Sequence, residues 1–274
     1  MKNHSFPELD SRSRTMTSPC GDSVAAFCHR HGEPVQRTLI SVLGVKISVE
    51  SGCSVCDRED AEQKHTSEQR RLSAAQRDAG IPPLYQAATL SPFPMEAPRQ
   101  KEVLLHLETF TEHNGKGSTG LILLGGNGTG KTHVACAVLN TFLQQGLSGR
   151  YCASVQDILR PIKETWKHKT DTTEHQALRK VCAPYLLIVD EVGVHPLDDR
   201  DCALLTEIIN DRYSRQRPTI LITNLQMPAF ADLVGERVVD RFREGGKALV
   251  FKWPSMRQHI QSCLLYTSPS PRDS

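Results

Sequence analysis

Between residues 99 and 262 short apolar runs alternate with longer stretches in which apolar positions recur every three or four residues. Positions 120–124 (GLILL), 185–189 (YLLIV) and 219–223 (TILIT) are continuous apolar runs, closed by Gly125, Asp190 and Asn224. Such runs suit strands covered on both faces, as in a parallel sheet. Weaker strand signals lie at 149–153 (GRYCA) and 248–251 (ALVF), and helical spacing appears over 102–112, 132–145, 155–166 and 201–212. Strands separated by helices of about 10–15 residues imply βαβ units. The predicted class is α/β, a parallel sheet with helices on both faces. No internal repeat interrupts it.

Upstream the pattern differs. Residues 1–22 are polar and Ser/Thr-rich and predict a flexible leader. Residues 23–57 gather cysteine and histidine around 38–49 (TLISVLGVKISV), which predicts a hairpin. Residues 58–98 begin charged and Gln-rich with hardly any apolar face, which predicts a solvated helix or linker, and Gly80-Ile81-Pro82-Pro83 stops it. Pro92, Pro94 and Pro98 then mark an extended connection to the main domain at 99–262. Residues 263–274 (CLLYTSPSPRDS) break the pattern and resemble a translated transposon-derived sequencing adapter. The expectation is that the natural chain departs from this sequence near Ser262.

Charge and cysteine usage narrow the setting. With 33 Lys+Arg against 31 Asp+Glu, any nucleic-acid contact must come from a local patch. The absence of an apolar run of about 18 residues excludes a membrane-spanning helix. The opening MKNHSFPELDSRSR has no apolar stretch behind its charges and does not read as a secretory signal. Nine cysteines, an odd number, argue for a reducing cytoplasm and against a disulfide framework.

Two motifs carry chemistry. Gly125-Gly126-Asn127-Gly128-Thr129-Gly130-Lys131-Thr132 fits G-x-x-x-x-G-K-[ST] between a buried strand and a helix. Phosphate oxygens need several converging donors, and glycines let successive backbone N–H groups turn inward beside a helix N-terminus. Lys131 then reaches the β- and γ-phosphates of ATP, and the Thr132 hydroxyl ligates Mg²⁺. Downstream, 186–191 (LLIVDE) places Asp190 at the sheet edge to hold Mg²⁺ and Glu191 to polarise an attacking water. Asn224 closes the next strand, where a polar side chain orients that water. Arg237, Arg241, Arg243 and Arg257 are the guanidinium groups available to developing phosphoryl charge. Near the start, Cys28-x₂-His31 and Cys53-x₂-Cys56 have the spacing of zinc knuckles. His29 and Cys20 are alternative ligands. With the hairpin between the two pairs the whole reads as a small zinc-ribbon-like segment, and one this short lacks a sufficient core, which makes a Zn²⁺ staple physically sensible.

Together these segments resemble the AAA+ P-loop ATPases, and more narrowly the DnaC-type helicase loaders and IstB-type transposition helpers. The resemblance covers roughly residues 80–258 and rests on GNGTGKTHVA (126–135), LLIVDEVG (186–193), RPTILITN (217–224), GERVVDRF (235–242) and WPSMR (253–257). It implies an ATPase in which Asn224 occupies the sensor-one position, Arg241 is the finger acting on a neighbour's nucleotide with Arg237 as alternative, and Arg257 is sensor two. It implies that 156–175 is a helical insertion lining a single-stranded DNA channel, where Arg160, Lys163, Lys167 and Lys169 flank Trp166. The partners implied are a hexameric replicative helicase, single-stranded DNA and further copies of the chain, with no membrane. The Cys/His head is similar to that of phage-borne DnaC-type proteins and favours the loader branch. A transposition helper, and an adaptor that binds ATP but barely hydrolyses it, are the alternatives.

Overall fold

The computed structural model describes residues 26–35, 37–42, 45–50, 53–91, 98–167 and 171–256. The chain divides into two units, residues 1–71 and 72–274. In the first, β1 (Ala26–Phe27) pairs with β2 (Pro34–Val35). An antiparallel hairpin follows, β3 (Arg37–Val42) against β4 (Val45–Glu50), with Val42 opposite Val45. The hairpin expected at 38–49 is therefore present, one residue longer at each end. Helix α1 (Ser54–Asp78) begins directly after Cys53 and continues into the second unit. Residues 57–71 are exposed around its whole circumference, as a helix without an apolar face must be. From Leu72 on, Leu72 and Ala75 pack into the second unit's core.

In the second unit, a single 3₁₀ turn at Pro83–Tyr85 and helix α2 (Pro98–Glu112) precede a five-stranded sheet. Pro98 opens α2, where its missing N–H and fixed φ cost nothing. The strands are β5 (Gly120–Gly125), β6 (Gly149–Cys152), β7 (Leu186–Val189), β8 (Thr219–Thr223) and β9 (Gly246–Phe251), in the order β6-β7-β8-β5-β9 and parallel throughout. The connecting helices are α3 (Lys131–Gln144), α4 (Val155–Lys167), α5 (Glu174–Cys182), α6 (Asp199–Ser214), α7 (Met227–Val234) and α8 (Glu236–Gly245).

The continuous apolar runs are explained by the layers. Leu121 and Leu123 face α2 and α3, while Ile122 and Leu124 face the layer of α4 to α8. Side chains alternate along a strand, so a strand covered twice needs apolar residues at every position. Each fully buried Leu or Ile contributes about 1.5–3 kcal/mol.

One charged residue lies in the core. Arg212, near the end of α6, is fully buried. All five of its N–H donors are used. Nε donates to Thr219 Oγ1 (2.8 Å), one terminal nitrogen to the carbonyls of Cys182 (3.1 Å) and Pro184 (2.8 Å), and the other to those of Tyr185 (2.9 Å) and Pro218 (2.6 Å). It therefore staples the end of α5 and the entries to β7 and β8. Burial lowers its pKa to about 10, so it remains charged at neutral pH.

The topology also sets the site. From β5 the chain crosses one face through α3 to β6, and from β8 it crosses the other face through α7 and α8 to β9. The strand order reverses between β5 and β8, and ligands of open α/β sheets bind at the carboxyl ends of strands at such a point.

Candidate functional site

Gly125, at the end of β5, leads into the loop that Lys131 closes as the first residue of α3. Gly128 and Gly130 have φ +76° and +95°, values that side-chain-bearing residues rarely adopt. Thr129 is buried and its hydroxyl donates to the Gly126 carbonyl at 2.9 Å. The Lys131 ammonium is also buried, and donates to the carbonyls of Gly125 and Gly126 (both 2.7 Å) and to Asn224 Oδ1 (2.9 Å). Burial lowers its pKa, and the Asp190 carboxylate partly opposes that shift. The loop lysine and the residue closing β8 are thus brought together.

The acidic pair stands on the other side of the loop. Asp190, buried after β7, accepts from Thr132 Oγ1 at 2.7 Å on Oδ2 and from the Glu191 backbone N–H at 2.8 Å on Oδ1. A third donor reaches Oδ2 from the phenol of Tyr151, on β6, at 3.0 Å. Burial and Asp190 together push the Tyr151 pKa upward, so the phenol keeps its proton and stays a donor. Glu191 is exposed, and among the described residues its carboxylate has no hydrogen-bond partner. Its φ is +51°, a conformation costing on the order of 1 kcal/mol for a non-glycine residue. Beside the loop, a cavity of about 550 Å³ is lined by Gly125, Gly126, Asn224, Met227 and Trp253 among others. Sequence reasoning missed Tyr151, because only the pairing of β6 with β7 brings it to Asp190.

The arginines are dispersed. Arg241 is half-buried on α8, with Nε donating to Asn210 Oδ1 (3.1 Å), a terminal nitrogen to Glu244 (3.2 Å) and its guanidinium 4.7 Å from the Tyr213 ring centre. It precedes β9, whose first residue pairs with the first residue of β5, whereas the loop follows the last. Arg241 therefore stands toward the opposite edge of the sheet from its own loop. Arg237 is exposed and has no partner among the described residues. Arg243 pairs with Asp240 (2.8 Å) and Glu236 (3.1 Å). Arg257 lies outside the described residues.

Three of the side chains marked for single-stranded DNA, those of Arg160, Lys163 and Trp166, are engaged within the fold. Arg200 lies 3.5 Å over the Trp166 ring, whose N–H donates to Glu174 Oε2 at 2.9 Å, and the ring packs against the core. Lys163 pairs with Asp201, and Arg160 with Asp157 at 3.1 Å. Base stacking on Trp166 thus competes with Arg200, a contact the sequence does not announce because α6 supplies it. Lys169 and the Lys167 side chain lie outside what the structure describes.

In the first unit, the donor atoms of Cys28, His31, Cys53 and Cys56 all lie within 4.8 Å of one another. His31 Nδ1 is 3.3 Å from Cys56 Sγ and 3.8 Å from both Cys28 Sγ and Cys53 Sγ, and the Cys28 and Cys56 sulfurs are 3.5 Å apart. Zinc bonds of about 2.0–2.3 Å give tetrahedral edges of about 3.5–3.8 Å, so the residues fit that ion. The backbone N–H groups of Arg30 and His31 lower the Cys28 pKa to about 6, whereas the hydrogen bond with Cys28 raises that of Cys56 to about 11. Clustered thiols cannot all ionise without a cation among them. The other His31 nitrogen, Nε2, meets Glu59 Oε1 at 3.3 Å, the outer carboxylate that metal-bound histidines commonly have. The second ligand pair sits at the start of α1 and not on a second strand turn. His29 is exposed and outside the cluster, and Cys20 is outside the described residues.

Comparison with known proteins places these features. The family model described as IstB-like ATP binding protein matches residues 53–261. The replicative helicase loader DnaC of Escherichia coli strain K12 is 32% identical over 183 residues, 66% of this chain and 74% of that protein. The crystal structure of the DnaC helicase loader matches with a TM-score of 0.55 at 28% identity, covering 62% of this chain and all of that one. AMPPCP-bound DnaA from Aquifex aeolicus, 23% identical over 70% of this chain and 58% of its own, has a TM-score of 0.55 and shares the fold. No helix among the described residues is long and apolar enough to cross a membrane.

Proposed function

This chain belongs to the family of IstB-like ATP-binding proteins, and we propose that within it the chain is an ATP-hydrolysing loader that helps place a hexameric replicative helicase on single-stranded DNA in the cytoplasm. The observation that carries the reading is the convergence of Lys131, Thr132, Asp190, Glu191 and Asn224 at the reversal between β5 and β8. The similarity to DnaC over 74% of that protein's length favours a helicase over a transposase as the partner.

In this reading the backbone N–H groups of residues 126–131 cradle the phosphates, and Lys131 turns from its carbonyl partners to the β- and γ-phosphates. Thr132 and Asp190 would hold Mg²⁺, whose charge would offset that of the transferring group. Glu191, exposed and without a partner among the described residues, accepts the proton of the attacking water, and Asn224 orients that water toward the γ-phosphate. Among the described residues no arginine is seen at the loop, and Arg241 stands away from it, so a guanidinium from a second copy stabilises the equatorial oxygens. Self-assembly supplies it: Arg241 of one copy serves the nucleotide of the next, and Arg237, without a partner among the described residues, is the alternative. Arg257 completes the set by resemblance. Single-stranded DNA follows the insertion of α4 and α5 through its exposed cations, with Trp166 available only when Arg200 moves aside.

Cys28, His31, Cys53 and Cys56 hold one Zn²⁺ that staples the first unit, and this head with the solvated part of α1 is the docking region for the helicase. After purification without chelators, atomic absorption should find one zinc per chain. Removing it should raise the proteolysis of residues 26–71 while the sheet remains folded. Absence of zinc would remove the staple. The loader reading is tested by co-expression with a replicative helicase: the two should co-purify. Capture of a transposase with no helicase bound would favour the transposition reading.

A further inference from the structure

The chain leaving β9 turns back over the phosphate loop. Trp253 donates its indole N–H to the Thr129 carbonyl at 2.9 Å. The backbone N–H of Met256 donates to the Gly128 carbonyl at 2.8 Å. The indole is held in place, since it packs on the buried Phe251 ring at 4.8 Å between centres.

These two bonds act on consecutive peptide planes. A trans peptide points its C=O and N–H in opposite directions. Drawing the Gly128 carbonyl toward Met256 turns the Thr129 N–H the other way, and drawing the Thr129 carbonyl toward Trp253 does the same to the Gly130 N–H. Gly128 and Gly130, with φ +76° and +95°, have no side chains to hold those planes. The Thr129 hydroxyl anchors the residue between them to Gly126, but without a hold on the carbonyls each plane could still turn about its glycine, and each N–H would spend more of its time away from the phosphates.

We infer that Trp253 and the Met256 amide form a positioning clamp that fixes the N–H groups of Thr129 and Gly130 toward the β- and γ-phosphates of the nucleotide. This rests on the reading of the loop as the phosphate site. The Trp253 N–H is spent on the Thr129 carbonyl, so in this reading its contribution passes through the loop backbone.

Trp253→Phe keeps a ring on Phe251 and removes the N–H donor. Affinities for ATP, ADP and AMP are measured by competition with a fluorescent nucleotide. ATP and ADP should each bind about 5–10-fold more weakly, the equivalent of one lost hydrogen bond. AMP, which lacks both distal phosphates, should bind as before. Benzothienylalanine at position 253 keeps the bicyclic ring without its N–H and should give the same selective loss, which separates the missing donor from altered packing. Unchanged ATP affinity in both replacements would overturn the clamp, as would an equal loss for AMP. Wild-type protein that binds no ATP at all would instead overturn the nucleotide site on which the clamp depends.

Discussion

Glu191→Gln is expected to lower ATP turnover by about 10²–10⁴-fold while ATP stays bound. Gln keeps the size of the side chain and removes only the proton acceptor. The groups assigned to the nucleotide and Mg²⁺ are untouched, since Lys131 meets Asn224 and Thr132 meets Asp190 independently of the Glu191 side chain. Folding should also be unaffected, because that carboxylate has no partner among the described residues. The backbone at Glu191 is held separately: its N–H donates to Asp190, and the next residue, Val192, is bonded to Ile222 and Thr223. Such a hold explains how a non-glycine residue persists at positive φ where the chain must turn an acid toward water. Phosphate release and retained nucleotide report the two halves of the expectation. Turnover within twofold of wild type would support the adaptor reading, in which binding alone is the signal.

The second large effect lies far from the nucleotide. Arg212→Leu should destabilise the second unit by about 2–4 kcal/mol, because among the described residues the carbonyls of Pro184 and Tyr185 lose their donor, whereas that of Cys182 keeps Arg217 and that of Pro218 keeps the Leu187 N–H. Leu matches the apolar part of the arginine stem but offers nothing to Cys182, Pro184, Tyr185 or Pro218. Arg212→Lys should recover only part of the loss, because an ammonium has three donors for five acceptors. Urea unfolding reads this as a lowered midpoint at constant slope. A loss below about 1 kcal/mol would mean that water replaces the guanidinium at those carbonyls.

These two residues also mark what a sequence can and cannot reveal. Glu191 was legible because its chemistry is written locally, as a buried strand ending in two acids. The strands at 120–124 and 219–223 were equally plain, since burial on both faces forces unbroken apolar runs. Arg212 was not. It looks like the last charged residue of an amphipathic helix, and its five partners come from segments up to 30 residues away. The partners of Trp166 were hidden for the same reason, since Arg200 comes from α6 and Glu174 from α5.

Helices α7 and α8 went unread because Met227–Val234 has eight residues and Gly235 separates it from the next helix, leaving little periodicity to detect. The four metal-ligating candidates were visible from spacing alone, but the supporting contact of His31 with Glu59 depends on the turn of α1 and was not. Tyr151 and Trp253 share that property, since both reach the site through folded neighbours with no motif of their own.

Titrating ATP into the Glu191→Gln protein by calorimetry, with magnesium present, tests the central claim most directly, because the variant removes the heat of hydrolysis. The account predicts saturable binding of one ATP per chain, abolished by adding Lys131→Ala. A folded protein that gives no saturable heat with ATP would contradict it.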